Sequence, residues 1–165
     1  VRRGVRLQPI VHGVQEREMR AGTENVPGIV GMGVASELAG EWLGGSGREQ
    51  GRALRDHIEQ RVAQAPGARV VGAGAARIWN TSSILVESVD ARRLVGALSD
   101  RGVMCSAGAA CSSGDEAPSR VMLAMGVDER TARGALRLSL ARATTQDEID
   151  RAGALVGEEI ARLRA

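Results

Sequence analysis

Residues 106–114 read Ser-Ala-Gly-Ala-Ala-Cys-Ser-Ser-Gly, a run of the smallest amino acids around a single thiol. Side chains of this size cannot build a core, and Gly108 and Gly114 leave the backbone free to adopt many conformations. We therefore predict a mobile surface loop that delivers Cys111 as a nucleophile. Composition alone leaves an alternative open, a tight turn in which Cys111 is a small buried hydrophobic residue.

Three segments of the chain resemble motifs of one enzyme family and occur in that family's order. They are Gln15–Gly28 with QER and RAGTENVPG, the surroundings of Cys111 with the later APS and MG, and Leu136–Thr145 with LRLSLAR and TT. Together they resemble the pyridoxal-phosphate-dependent cysteine desulfurases, in the long-loop group of IscS-like and NifS-like enzymes. The resemblance covers nearly the whole chain, but only the second half or so of such an enzyme.

The resemblance implies a reaction and the residues that carry it. In such enzymes an enzyme thiolate takes the sulfur of L-cysteine, which leaves L-alanine and an enzyme persulfide, and the attacking residue corresponds to Cys111. The family's carboxylate-binding arginine corresponds to Arg137. A threonine that contacts the cofactor phosphate of the other subunit in a homodimer corresponds to Thr23. The persulfide sulfur then passes to an acceptor, such as an iron–sulfur scaffold or a thiolation protein.

Local chemistry leaves other roles open for two of these residues. A planar guanidinium such as that of Arg137 suits a substrate carboxylate. However, arginines on strand surfaces usually form ordinary salt bridges, and Arg142 competes for the same role on sequence alone. Thr23 lies close to Pro27, where a helix is predicted to begin, so it is equally suited to cap that helix, and Asn25 is the other candidate for this cap.

Lysine is absent from the chain, since all 22 residues of the combined Lys and Arg count are arginine. A pyridoxal-phosphate enzyme needs a lysine to hold the cofactor as a Schiff base, and in the family this lysine lies shortly before the segment where the chain begins. We therefore expect a C-terminal portion of a parent cysteine desulfurase that is inactive alone. The alternative hypothesis is a non-enzymatic docking or sulfur-carrier module, in which Cys111 is a passive carrier.

Composition argues against several other classes of protein. The formal net charge is only +2, and 1% aromatic residues leave no platform on which nucleic-acid bases could stack. No apolar run of transmembrane length and no signal segment is evident, so we expect a cytoplasmic protein without membrane contact. Cys105 and Cys111 give no disulfide framework, and together with His12 and His57 they lack the spacing of a zinc site.

The hydrophobic periodicities predict an α/β chain with a smaller α+β domain at its C-terminal end. The resemblance implies the fold type I architecture of pyridoxal-phosphate enzymes. We assign residues 1–26 to the end of the cofactor domain and residues 27–65 to connecting helices. Residues 66–165 then form the small α+β domain with the active-cysteine loop.

The predicted elements follow from local patterns. A helix from Pro27 has an apolar stripe of Ile29, Val30, Val34 and Leu38, and the break at Gly44–Gly47 separates it from a helix over 48–64. A clean alternation over 135–140 places Leu136, Leu138 and Leu140 on one face and Arg137 and Ser139 on the other. The remaining elements are strands over 68–71, 81–86 and 103–105, a helix over 90–99, and a last helix opened by a capping box of Thr145 and Glu148.

Overall fold

A computed structural model of the chain describes residues 4–5, 8–108 and 118–165. Its contacts divide the chain into two units, Val1–Leu43 and Gly44–Ala165. The helices are α1 (Gln15–Glu18), α2 (Val26–Gly44), α3 (Gly47–Val62), α4 (Ala91–Asp100), α5 (Arg120–Ala124), α6 (Glu129–Ala132) and α7 (Gln146–Arg164). The strands are β1 (Ala68–Val70), β2 (Thr81–Val86), β3 (Ser106–Ala107) and β4 (Ala135–Ser139). This mixture of helices and strands confirms the predicted α/β class.

The first unit contains a short turn and one long helix. α1 is a single turn in which Glu16, Arg17 and Glu18 have positive φ angles. α2 has no buried residue. The predicted apolar stripe is present on α2, but its side chains are about half exposed: Ile29 53%, Val30 60%, Val34 51% and Leu38 48%.

The second unit is built on a four-stranded antiparallel sheet with the strand order β1-β2-β4-β3. The longest pairing joins β2 to β4, from Thr81 opposite Ser139 to Leu85 opposite Ala135. The predicted strand over 81–86 is confirmed. The second unit also includes α3, so the helical segments on the two sides of Gly44 fall in different units. The domain boundaries near residues 26 and 65 stay a proposal for the whole protein.

One face of the sheet carries the main hydrophobic core. The inward side chains of β2 and β4 pack with α3, α4 and α7. Each of these inward side chains is at most 5% exposed. The largest members of this cluster are Ile58, Val62, Ile84, Leu94, Leu98, Leu136, Leu138, Ile149, Val156 and Ile160. Burial of such side chains stabilises a fold by about 1.5–3 kcal/mol each. This core fixes β4 in place, which matters because β4 carries Arg137.

The opposite face of the sheet is only partly covered. A smaller cluster of Leu85, Met122, Ala132 and Ala135 buries one end of this face beneath α5 and α6. Further along the same face, β4 presents Arg137 and Ser139, which are more exposed than their neighbours Leu136 and Leu138. The alternation that we predicted for 135–140 is therefore confirmed, and it leaves a polar, accessible stretch beside an apolar one.

The predicted helix cap is formed, and one predicted strand is wrong. Thr145 and Glu148 make the predicted capping box at the start of α7. Residues 103–105, however, are not a strand, and β3 begins only at Ser106. The reason is the end of α4. Gly102 has φ +81°, and Val103 N donates to Leu98 O at 2.9 Å, so Val103 belongs to a Schellman motif that ends the helix.

A buried ionic cluster joins α3 to the loop before β2. Glu59 is 7% exposed and accepts hydrogen bonds from both terminal nitrogens of Arg77. These bonds raise the pKa of the Arg77 guanidinium. Arg55, 4% exposed, lies one helical turn before Glu59 and donates from Nη1 to the carbonyl of Ile78 at 2.6 Å. The cluster stabilises the fold only while its charges are paired.

Glu59→Ala is therefore expected to destabilise the second unit by about 2 kcal/mol, because it leaves Arg77 and Arg55 without their shared carboxylate. Urea unfolding followed by circular dichroism measures the loss. Glu158→Ala is the matched control, since Glu158 also pairs with an arginine but is 60% exposed, and its effect should be clearly smaller. Equal losses for the two variants would contradict the stabilising role of the buried cluster.

None of the helices in the described part of the chain has the length and apolar character needed to cross a membrane.

Candidate active site

The side chain of Arg137 lies at the centre of the candidate site. Its neighbours Leu136 and Leu138 point into the main core, so the alternation of the strand turns Arg137 to the opposite, accessible face. Arg142, the competing candidate, lies in an exposed turn after β4 and does not line the same pocket. The structure thus distinguishes the two arginines, because Arg137 lines this pocket and Arg142 does not.

Two serines stand directly opposite Arg137 on the neighbouring strands. Ser83 of β2 and Ser106 of β3 are its cross-strand partners. Arg137 Nη2 donates a hydrogen bond to Ser106 Oγ at 3.3 Å. Within residues 8–108 and 118–165, no carboxylate forms an ion pair with Arg137. The ordinary salt bridge that we kept as an alternative for this arginine is therefore absent from the described part of the chain.

A small pocket of about 190 Å³ adjoins this guanidinium. Its lining consists of Ser83, Gly108, Ser119, Val121, Met122, Ala135, Leu136 and Arg137. The volume lies below the ~300–1,000 Å³ range that is usual for drug-sized ligands, so it suits a molecule as small as an amino acid. An arginine guanidinium in such a pocket can hold both oxygens of a carboxylate and so fix the orientation of its ligand.

The two ends of the cysteine-bearing segment meet at the same pocket. Gly108 N donates to Ala135 O at 2.7 Å, which ties the chain after β3 to β4. A Cβ atom placed on Gly108 would lie 3.8 Å from Ser119 Cβ, so Gly108 and Ser119 are close neighbours. Gly108 has φ +56°, a conformation that glycine adopts at little cost. Cys111 itself lies outside the described residues.

Cys105, the other thiol, is a poor candidate for a nucleophile. It packs against the main core, and burial raises the pKa of its thiol to about 11. At neutral pH such a thiol is almost entirely protonated, and the thiolate is the reactive form. This environment favours a packing role for Cys105.

Thr23 belongs to the first unit, and its hydroxyl is available for a ligand. The cap of α2 is Asn25, whose Oδ1 accepts from Gly28 N at 3.1 Å. Arg20 pairs with Glu24 at 2.9 Å and donates to the Thr23 carbonyl at 3.2 Å. These two contacts restrain the backbone around Thr23. Among the described residues, the Thr23 hydroxyl has no hydrogen-bond partner. The helix-cap role that we considered for Thr23 is therefore taken by Asn25.

The site that the structure assembles is that of Arg137 with the ends of the cysteine-bearing segment. Sequence reasoning did not assign roles to Ser83, Ser106 and Ser119 at this site. The alternation in β2 could have placed Ser83 on the same face as Arg137, but no local pattern indicates which residues pair across strands. In the portion of the chain that the structure describes, no group of three His, Cys, Asp or Glu side chains is arranged to hold a metal ion.

Comparisons with known proteins identify the family of the chain. The profile of the aminotransferase class-V family matches residues 3–152, so the chain belongs to that family. Within it, the chain is similar to proteins named cysteine desulfurase. It is 44% identical to one from Cereibacter sphaeroides over 100% of this chain and 42% of that protein. It is 42% identical to one from Gluconacetobacter diazotrophicus over 99% of this chain and 41% of that protein.

A solved structure gives the same assignment for the fold. The NifS-like protein from Rickettsia africae matches with a TM-score of 0.81 and 28% identity, over 96% of this chain and 41% of that protein. These findings confirm the resemblance to the IscS-like and NifS-like enzymes that the three motifs indicated. The chain spans about two fifths of the length of the relatives it matches.

Proposed function

We propose that the whole protein is a pyridoxal-phosphate-dependent cysteine desulfurase. It takes L-cysteine, releases L-alanine and leaves the sulfur as a persulfide on Cys111, from which an acceptor protein removes it. One observation carries the proposal: Arg137, without a carboxylate partner in the described residues, lines a small pocket where the two ends of the Cys111-bearing segment meet.

In this proposal Arg137 binds the α-carboxylate of L-cysteine and the Cys111 thiolate attacks its sulfur. The substrate C–S bond breaks and an S–S bond forms on Cys111. The transferred sulfur keeps the proton of the substrate thiol, and the substrate Cβ takes up the proton that the Cys111 thiol has lost, so that alanine and a hydropersulfide result. Chain length supports this pairing, because Cys111 follows Gly108 by three residues, which span at most about 11 Å. Because the chain tethers Cys111 at this distance, only a small conformational change is needed to bring its thiol to the sulfur of a substrate held by Arg137.

The proposed cofactor can be tested against the residues present. Thr23 fits a contact to a phosphate oxygen, since its hydroxyl is exposed and nothing lies within 4 Å of the position where Gly22, next to it, would carry a Cβ. No residue of this chain fits the covalent attachment, because lysine is absent. When bound, pyridoxal phosphate supplies the electron withdrawal that weakens the C–S bond of the substrate. The attaching lysine must therefore belong to another part of the whole protein.

Thr23→Val should lower the affinity of the whole protein for pyridoxal phosphate by about tenfold, because a hydrogen bond to a charged phosphate oxygen is lost. Sulfur transfer by the fully loaded protein should change little. Equilibrium dialysis with absorbance detection measures the first effect, and alanine formation at saturating cofactor measures the second. Thr23→Ser should restore affinity, whereas Asn25→Ala, which removes the cap of α2, should leave affinity unchanged. Equal cofactor affinity in Thr23→Val and wild type would exclude the phosphate contact.

We further propose a cytoplasmic homodimer in which Thr23 serves the cofactor of the neighbouring subunit. The exposed apolar side chains along α2 support an interface on this helix, because large exposed apolar patches are typical of contact surfaces. An iron–sulfur scaffold or a thiolation protein is the kind of sulfur acceptor that we expect. Sedimentation analysis of the whole protein tests the dimer.

The absence of lysine favours a second candidate for this chain by itself, a docking or sulfur-carrier module without catalysis. The two candidates differ in the fate of L-cysteine. A desulfurase produces one alanine for each sulfur that it transfers, whereas a carrier accepts sulfur only from a pre-formed donor and releases no alanine. Incubating the whole protein with L-cysteine and a thiol reductant, and measuring alanine and sulfide together, distinguishes them. Sulfur loading without alanine would contradict the desulfurase.

A further inference from the structure

The two residues that flank Arg137 across the sheet are both small and neutral. Ser83 and Ser106 stand opposite Arg137 in the register of β2, β4 and β3. Side chains at such positions share one face of the sheet, with their Cβ atoms roughly 4.5–5.5 Å apart. Whatever residue occupies position 83 or 106 therefore lies within reach of the guanidinium.

Neutral neighbours matter because carboxylates pair with several other arginines of this unit. Arg55 contacts Asp56, Arg77 pairs with Glu59, and Arg101 pairs with Glu158 at 2.7 Å and with Glu159 at 3.0 Å. A serine hydroxyl carries no charge, and Ser106 Oγ accepts only one of the five N–H groups of a guanidinium. Among residues 8–108 and 118–165, no carboxylate pairs with the remaining N–H groups of Arg137.

We propose that Ser83 and Ser106 determine the specificity of the site by keeping Arg137 uncompensated, so that the carboxylate of an amino-acid substrate is its strongest partner. Ser106 is in addition a positioning residue, because its hydrogen bond to Nη2 restrains the guanidinium on β4. This inference rests on the proposed function, in which Arg137 binds the substrate carboxylate.

The charge of the flanking residue is the variable to test. Ser83→Asp and Ser106→Asp each place a competing carboxylate beside Arg137. Ser83→Asn and Ser106→Asn are the matched controls, because asparagine has the size and shape of aspartate but no charge. In the whole protein, each Asp variant should have a KM for L-cysteine at least about tenfold above that of its Asn partner. The reason is that the Arg137 guanidinium then donates to the introduced aspartate instead of to the substrate carboxylate. The value of kcat should differ less than about threefold within a pair.

The positioning role of Ser106 has its own readout. Ser106→Ala should raise the KM for L-cysteine by about fivefold through a less restrained guanidinium, and Ser106→Thr, which keeps the hydroxyl, should restore it. A merely structural role for Ser106 would instead lower the yield of active protein at an unchanged KM, and that result would overturn the positioning role.

Binding of L-alanine, the expected product, gives a measurement that does not depend on turnover. Isothermal titration calorimetry should show the same loss of affinity, at least about tenfold, in each Asp variant relative to its Asn partner. A wild-type whole protein that forms no alanine from L-cysteine would overturn the proposed function and this inference with it. An active wild type, with Asp and Asn variants that agree within threefold in KM and in alanine affinity, would overturn this inference alone.

Discussion

Replacing Cys111 by serine in the whole protein is expected to abolish persulfide formation, with a loss of at least about a thousandfold in the rate of alanine production. A serine hydroxyl is almost fully protonated at neutral pH and is a far poorer nucleophile towards sulfur than a thiolate. Cofactor binding should survive the change, because Cys111 has no role in holding the cofactor in our account. Absorbance of the bound cofactor and an assay of alanine measure the two properties on one sample.

Cys105→Ser is the matched control for this substitution. Cys105 packs against the core and has a thiol pKa of about 11, so its loss should affect stability more than chemistry. We expect the Cys105→Ser rate of alanine production to stay within about threefold of wild type. Comparable losses in the two serine variants would show that the nucleophile has been misassigned.

Replacing Arg137 by alanine should raise the KM for L-cysteine by about a hundredfold and also lower kcat. The first effect follows from the loss of two charged hydrogen bonds to the carboxylate. The second effect follows because a substrate that is no longer held by its carboxylate presents its sulfur in many orientations. Steady-state kinetics over a wide range of L-cysteine concentrations separates KM from kcat.

Arg142→Ala is the control for the arginine, since Arg142 is exposed and does not line the pocket beside Arg137. Its KM should remain within about twofold of wild type. If Arg142→Ala raised KM and Arg137→Ala did not, the carboxylate clamp would belong to Arg142, the residue that sequence alone could not exclude.

The elements predicted correctly are those that depend on residues close together in the chain. The capping box of Thr145 and Glu148 joins positions three apart, and the alternation of Leu136, Arg137 and Leu138 is a property of adjacent residues. Neighbouring residues determine both patterns, so both can be recognised from the sequence alone. The strand predicted over 103–105 was wrong because the end of α4, rather than the apolar character of Val103, determines the backbone there.

The features that could not be predicted depend on contacts between distant residues. Ser106 and Arg137 are 31 positions apart, and only the register of β3 on β4 makes them neighbours. Glu59 and Arg77 are 18 positions apart, and neither has a sequence pattern that indicates burial. Charged residues are usually exposed, so their pairing inside the second unit follows from packing alone.

The candidate site likewise combines residues that the motifs identified with features that only the structure shows. The motifs identified Cys111, Arg137 and Thr23, but they did not indicate which of the two arginines faces a pocket or which residue caps α2. The structure answers both questions for the described residues, with Arg137 in the pocket lining and Asn25 as the cap. The catalytic roles of these residues remain proposals that the variants above test.

The central claim is that sulfur from L-cysteine moves to Cys111. Mass spectrometry of the whole protein after a brief exposure to L-cysteine, followed by peptide mapping, tests it most directly. Our account predicts one added sulfur atom on the peptide that contains Cys111, together with an equivalent of alanine, and a much smaller yield in Arg137→Ala at low L-cysteine. Sulfur found on Cys105, or undiminished on Cys111 in Arg137→Ala under the same conditions, would contradict it.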